Sequence, residues 1–241
     1  MLQLLIRTTW FHCNLSGLPG LIMLVEENIT LNWLNRVSGN ILPVSHEKFD
    51  VSIALKEWDY LGDMNDLELP SEDCEICEHQ DIRYQFEIVN RLNGNRLLIG
   101  SECITRFGGI AVISSSGEKL TGMSAKKKVT QDHRRMVAKA KTRSVLNSLI
   151  NLKSKDEKFD IDDFIKYYEE RGAFTPKQLV TIIWRFEKFK INFEKKFFKL
   201  TIKRKREKDQ LIAMEEFKIE TIRGCFSPSQ KKFYIEKKDH R

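Results

Sequence analysis

Cys74-Glu-Ile-Cys-Glu-His79, Ile82-Arg-Tyr-Gln-Phe-Glu-Ile-Val89 and Asn93-Gly-Asn-Arg-Leu-Leu-Ile-Gly-Ser-Glu-Cys103 fall within 30 consecutive residues. Cys74 and Cys77 are spaced to hold one ion from a single tight turn. Ile82, Tyr84, Phe86 and Ile88 alternate along one face of a strand. Asn93-Gly94 tolerates the positive φ of a hairpin turn, so Arg96–Ile99 is expected to return as a second strand. Ser101 stands where a helix N-cap would, Cys103 falls in the first turn, and Gly108-Gly109 ends the helix. This arrangement implies an α+β fold whose N-terminal half contains a small zinc-stabilised β-hairpin module.

Zinc takes four thiolate or imidazole ligands at tetrahedral angles. Cys74, Cys77 and Cys103 supply three, and the dipole at a helix start favours a thiolate at Cys103. His79 is the nearest candidate for the fourth, whereas Cys13, His46 and Cys225 reach the site only if the chain folds back. The competing reading buries the three cysteines as small apolar side chains and leaves His79 on the surface. Catalysis at such a zinc would need an open water position and a general base. Glu75, Glu78 and Glu102 lie near in sequence, but charged residues beside a knuckle are usually solvated, so no catalytic residue is assigned.

A knuckle, a hairpin and a ligand-bearing helix start resemble the treble-clef zinc finger over residues 74 to about 108. The sequence departs from that pattern where a second helix ligand belongs, since Arg106 and Phe107 occupy those places. Cys74 to Phe107 is also similar to a segment of uncharacterised phage and prophage proteins that repeats the paired-cysteine knuckle, the hairpin and a Gly-Ser-x-Cys-Ile element. That resemblance implies a mobile-element origin and no defined activity.

The rest of the chain sets the context. With 241 residues it can bury a core in one domain or two. Its five cysteines are odd in number and clustered, unlike the even sets of small secreted folds. They imply a reducing, cytoplasmic protein. No apolar run approaches the roughly 18 residues of a membrane helix. Residues 1–22 lack a basic region and a small-residue cleavage site, so they read as a flexible or mis-assigned extension, with Met23 as the start. Residues 23–109 form the α+β region. Within it Val51, Ile53 and Leu55 alternate as a strand would, and Asp63 to Asp73 reads as a loop. Residues 110–129, with Ser114-Ser-Ser-Gly117, read as a linker.

Residues 130–241 read as a mainly helical, basic domain. Thr130 and Asp160 are candidate caps. Thr175-Pro-Lys-Gln178 is a capping box with proline in the first turn, and Ser227-Pro-Ser-Gln230 repeats its form. Phe198, Leu200 and Ile202 alternate like a strand, a helix follows through Leu211, Ile212 and Met214, and residues 217–222 suggest another strand, with a continuous helix as the competing reading. Asp160, Asp162 and Asp163 are first-turn carboxylates opposing a helix dipole rather than a nuclease's metal cluster.

Net charge is +7, and it is segregated. Lys126, Lys127, Lys128, Arg134, Arg135, Lys139, Lys141 and Arg143 face Asp132 alone. Lys195, Lys196, Lys199, Lys203, Arg204, Lys205, Arg206 and Lys208 face Glu207 alone. Each stretch carries the whole chain's excess, so the remainder is acidic. Such runs suit phosphates, whose neutralisation releases counterions. Phe193, Phe197 and Phe198 interleave with the second run. They either stack on bases or, as the favoured reading, form the buried side of a basic element. No phosphate-binding glycine loop, zinc-protease helix or nucleophile elbow is present. The expectation is a non-enzymatic, zinc-containing protein binding nucleic acid of unspecified type through Lys126–Lys128, Arg134, Arg135 and Lys203–Arg206. A module docking an acidic host protein is the alternative, and a metal-dependent nuclease a weaker one.

Overall fold

The structure, a computed structural model, describes residues 32–106 and 109–238. The expectation that Met23 begins the chain lies outside them, as does Cys13. The chain is mixed α+β and divides into two compact units, the second beginning at Gln131.

In the first unit, helix α1 (32–41) buries Val37 and Ile41. Residues Val51–Ala54 form α2, not the strand their alternation suggests. The Asp50 side chain accepts the N–H groups of Ser52 and Ile53 at 2.7 and 3.2 Å, and this cap turns the segment helical. Strand β1 (Trp58–Asp66) follows, then β2 (Tyr84–Asn90), β3 (Arg96–Ile99), α3 (Ser101–Arg106), β4 (Ala111–Ile113) and β5 (Lys119–Leu120). The five-stranded sheet runs β3-β2-β1-β4-β5. The hairpin β2–β3 is antiparallel, with Gly94 at φ 77° in its turn. β1 pairs antiparallel with β2, through an irregularity between Tyr60 and Met64, and parallel with β4.

The expected linker is therefore part of this sheet. Ile110, Ala111 and Val112 are buried, Asp59 and Tyr60 pair with Ala111 and Val112, and the serine-rich stretch is the turn between β4 and β5. Gly109 lets this segment approach α2's end, because a Cβ there would lie 2.7 Å from Leu55 Cβ.

Glu57 is buried beneath β1 and accepts from His46 N at 2.6 Å, Glu47 N at 2.7 Å and Asn90 Nδ2 at 2.8 Å. Burial opposes its ionisation, but the Asn90 amide and the two N–H groups outweigh it, so the carboxyl sits below the usual carboxylate range. A carboxylate depressed in the folded state stabilises above its unfolded pKa and loses that contribution as pH falls through the folded value. Glu57→Gln is expected to cost about 1–3 kcal/mol at pH 7. The gap to the native chain should close as pH drops below the ordinary value of 4.5. Urea unfolding from pH 7 to pH 3 checks this, and a constant gap would refute it.

Helix α4 (Gly122–Lys155) begins eight residues before Thr130, so Thr130 is no cap. It gives Val129 to the first core and Val145, Leu149 and Leu152 to the second. Then follow α5 (Asp162–Arg171), α6 (Pro176–Lys188), α7 (Lys205–Ile212), α8 (Glu216–Ile222) and α9 (Pro228–Lys238). Gly172, left-handed at φ 63°, closes α5. The Thr175 and Ser227 boxes both form: Gln178 N donates to Thr175 Oγ1 at 3.4 Å and Gln230 N to Ser227 Oγ at 3.3 Å, while the glutamine side chains accept from the cap N–H groups.

Neither expected C-terminal strand is present. Leu200 makes a single parallel bridge to Phe174, and residues 217–222 are helical, burying Ile219 and Ile222 three residues apart. Phe174, Phe186 and Phe198, all fully buried, form the aromatic centre of this core.

Candidate metal centre and basic surface

Cys74 and Cys77 lie in the turn that precedes β2, and Cys103 lies in α3 after β3. The hairpin returns the chain to the knuckle, where Glu75 N donates to Leu98 O at 3.1 Å. Cys103 Sγ stands 3.3 Å from Cys77 Sγ and 3.6 Å from Cys74 Sγ. All three are buried and free of disulfides. Among the described residues they are the one group of three or more His, Cys, Asp or Glu side chains whose ligand atoms lie within 4.8 Å of one another. Three close, buried cysteines could hold a metal ion.

The surroundings suit negative charge at Cys74. Gly100 N donates to Cys74 Sγ at 3.4 Å. The Cys103 thiol and the N–H groups of Cys77, Gly100 and Ile76 hold Cys74 down to about 5 against its burial. Cys103 is pushed up, first by its bond to Cys74, and Cys77 is pushed up by burial. Helix α1 braces the knuckle from outside: Arg36 Nε donates to Cys77 O at 3.0 Å and Asn40 Nδ2 to Ile76 O at 3.1 Å. No sequence pattern marked Arg36 or Asn40, because their partners are main-chain carbonyls forty residues away.

His79 is not brought into this group. Glu78, left-handed at φ 58°, reverses the chain just after Cys77 and leaves the His79 side chain exposed. It contributes its carbonyl instead, accepting from Cys74 N at 2.9 Å. His46 is exposed and Cys225 is buried in the second unit's core. The described residues therefore offer three candidate ligands, Cys74, Cys77 and Cys103.

The basic residues divide by environment. Lys126, Lys127, Arg134 and Arg135 are exposed on α4, and Lys128 is half-buried with its ammonium 5.7 Å from the Tyr60 ring. At about 100° per residue these cations spread over roughly 200° of the helix surface rather than along one narrow stripe. In the second run, Lys195 and Lys196 pair with Glu187 and Glu194. Lys199, Lys203, Arg204, Lys205, Arg206 and Lys208 are exposed and form no ion pair among the described residues. Glu207 is in no ion pair with them among the described residues. It is buried, and its Oε2 accepts from Arg204 N at 3.0 Å and Thr201 Oγ1 at 3.2 Å, so it caps α7. The interleaved phenylalanines are core: Phe198 is buried, and Phe193 and Phe197 pack against the same cluster. Asp162 is paired with Lys153 at 2.7 Å, and the three aspartates of that turn form no ligand group.

No family model matches the chain, and no curated protein or solved structure matches it. Among the described residues no helix is long and apolar enough to cross a membrane.

Proposed function

We propose that the protein binds nucleic acid through the basic surface of its second unit and carries a structural zinc ion in its first. The observation that carries the reading is the run of six exposed cations from Lys199 to Lys208 without carboxylate partners among the described residues. Charges left unpaired in this way favour a polyanion, since each phosphate met releases a counterion. Zinc is favoured by the soft, all-thiolate donor set. Around a tetrahedral zinc with bonds of about 2.3 Å, sulfurs sit about 3.8 Å apart. The observed 3.3 and 3.6 Å are short of that by only a few tenths of an ångström. Cys74, Cys77 and Cys103 would hold the ion, whose charge would let all three ionise and cross-link knuckle to helix. Its role is cohesion, and no reaction is assigned to it.

The test is binding of the full chain to labelled oligonucleotides between 50 and 200 mM salt. Affinity is expected to fall at least a hundredfold if five or more phosphates are neutralised. A flat response would refute the electrostatic reading. A pull-down with and without nuclease separates nucleic acid from an acidic protein meeting the same cations.

A further inference from the structure

A cavity of about 630 Å³ opens in the second unit between α5, α9 and the segment leading into α7. Arg171, Lys199, Lys203 and Arg204 line it, together with the half-buried rings of Tyr167 and Phe233. None of the four cations is in an ion pair among the described residues. The lining carboxylate, Glu207, is tied to Arg204 N and Thr201 Oγ1. Gln230, on the α9 wall, is also committed, donating to Leu200 O at 2.8 Å and accepting from Ser227 N. The hollow thus combines uncommitted positive charge with aromatic surface. The neighbouring hollow across α7, about 1010 Å³, has no aromatic lining and sets Asp209 and Glu215 against its cations.

We propose that the 630 Å³ cavity seats one unpaired nucleotide, its base against Phe233 and Tyr167 and its phosphate among Arg171, Lys199, Lys203 and Arg204. This rests on the reading of the basic surface as a nucleic-acid interface and narrows it to single-stranded partners. The volume lies within the roughly 300–1,000 Å³ of pockets that enclose small ligands. A duplex offers such a hollow only its backbone, because paired bases are stacked away from it. An unpaired base has a free face for an aromatic ring, and its phosphate stays within reach of the cations. The same unit is presented by a strand and by a free nucleoside monophosphate.

The experiment measures fluorescence anisotropy of the full chain with a single-stranded oligonucleotide and with the duplex of the same sequence. Competition by adenosine monophosphate is included. The single strand is expected to bind at least tenfold more tightly. Phe233→Leu, which keeps apolar packing, should reduce that affinity about tenfold, the loss of one stacked base, and leave duplex binding unchanged. Arg171→Gln, at an exposed position, should weaken binding of both forms by the loss of one phosphate contact without touching the core. Displacement by adenosine monophosphate that Arg171→Gln abolishes assigns the hollow to free nucleotide as well. Single-strand preference without displacement assigns it to a strand. Salt-sensitive binding that is equal for both forms and unchanged in both variants overturns the proposal while leaving the wider reading intact. Absence of binding to either form removes both.

Discussion

Replacing Cys103 with serine is expected to reduce bound zinc from one ion per chain to none and to destabilise the first unit by about 3–5 kcal/mol, well below the roughly 10–16 kcal/mol of isolated zinc-finger peptides. The smaller figure follows from what else holds this unit. Its core includes Trp58, Tyr60, Phe86 and Ile88 on the sheet, all essentially inaccessible to solvent, so the sheet keeps this burial with or without an ion. What a bound ion would secure is the join between the knuckle and α3. There Ile76 and Ile104 are buried beside the three thiols, and the turn is otherwise held by a few main-chain bonds and the Arg36 and Asn40 side chains. Cys225→Ser, in the second unit, should leave the zinc content unchanged. Metal analysis and thermal melts with and without a strong chelator check both variants. A native chain isolated without metal, whose melt ignores the chelator, would leave the thiols as ordinary core residues.

The clustering of the three cysteines was largely legible in sequence because its determinants are local. Two cysteines share one turn, the alternation of Ile82 to Ile88 needs no tertiary context, and Asn93-Gly94 marks the reversal. His79 misled because proximity in sequence is not proximity of side chains where a left-handed residue intervenes. Strand β1 was hidden for a different reason. Its sequence, Trp-Asp-Tyr-Leu-Gly-Asp-Met-Asn-Asp, carries a glycine and three aspartates, and its end from Asp63 reads as the start of a loop. The sheet tolerates them because Arg91 and Arg83, from the neighbouring chain segment, pair with Asp59 and Asp66 at 3.3 and 2.8 Å. Gly62, at φ 114°, occupies the irregularity. No local pattern discloses such cross-strand compensation. The same limit applies to Glu207, which in sequence is one acid among eight cations but in the fold is a buried cap.

Changing Lys203, Arg204, Lys205 and Arg206 together to glutamine is expected to lower nucleic-acid affinity about a hundredfold near 150 mM salt and to flatten the dependence of log K on log salt by about 3. The estimate takes one phosphate per cation, the seated nucleotide's and those flanking it, with roughly 0.7 counterions released per phosphate on a single strand, so four are lost. All four side chains are exposed and belong to no ion pair among the described residues, so their loss should cost little stability. Changing Lys126, Lys127 and Lys128 should do much less. Consecutive residues on a helix diverge by about 100°, so three in a row cannot all meet one backbone, and Lys128 already lies by the Tyr60 ring. The comparison separates local placement from bulk charge. If net charge alone governed binding, the two variants would lose affinity in the ratio of the charges removed. If placement governs, the quadruple variant falls far below that line, and its residual slope counts the phosphates still held by Arg171, Lys199 and Lys208. Equal losses per charge in the two variants would show that the second unit's surface has no privileged role.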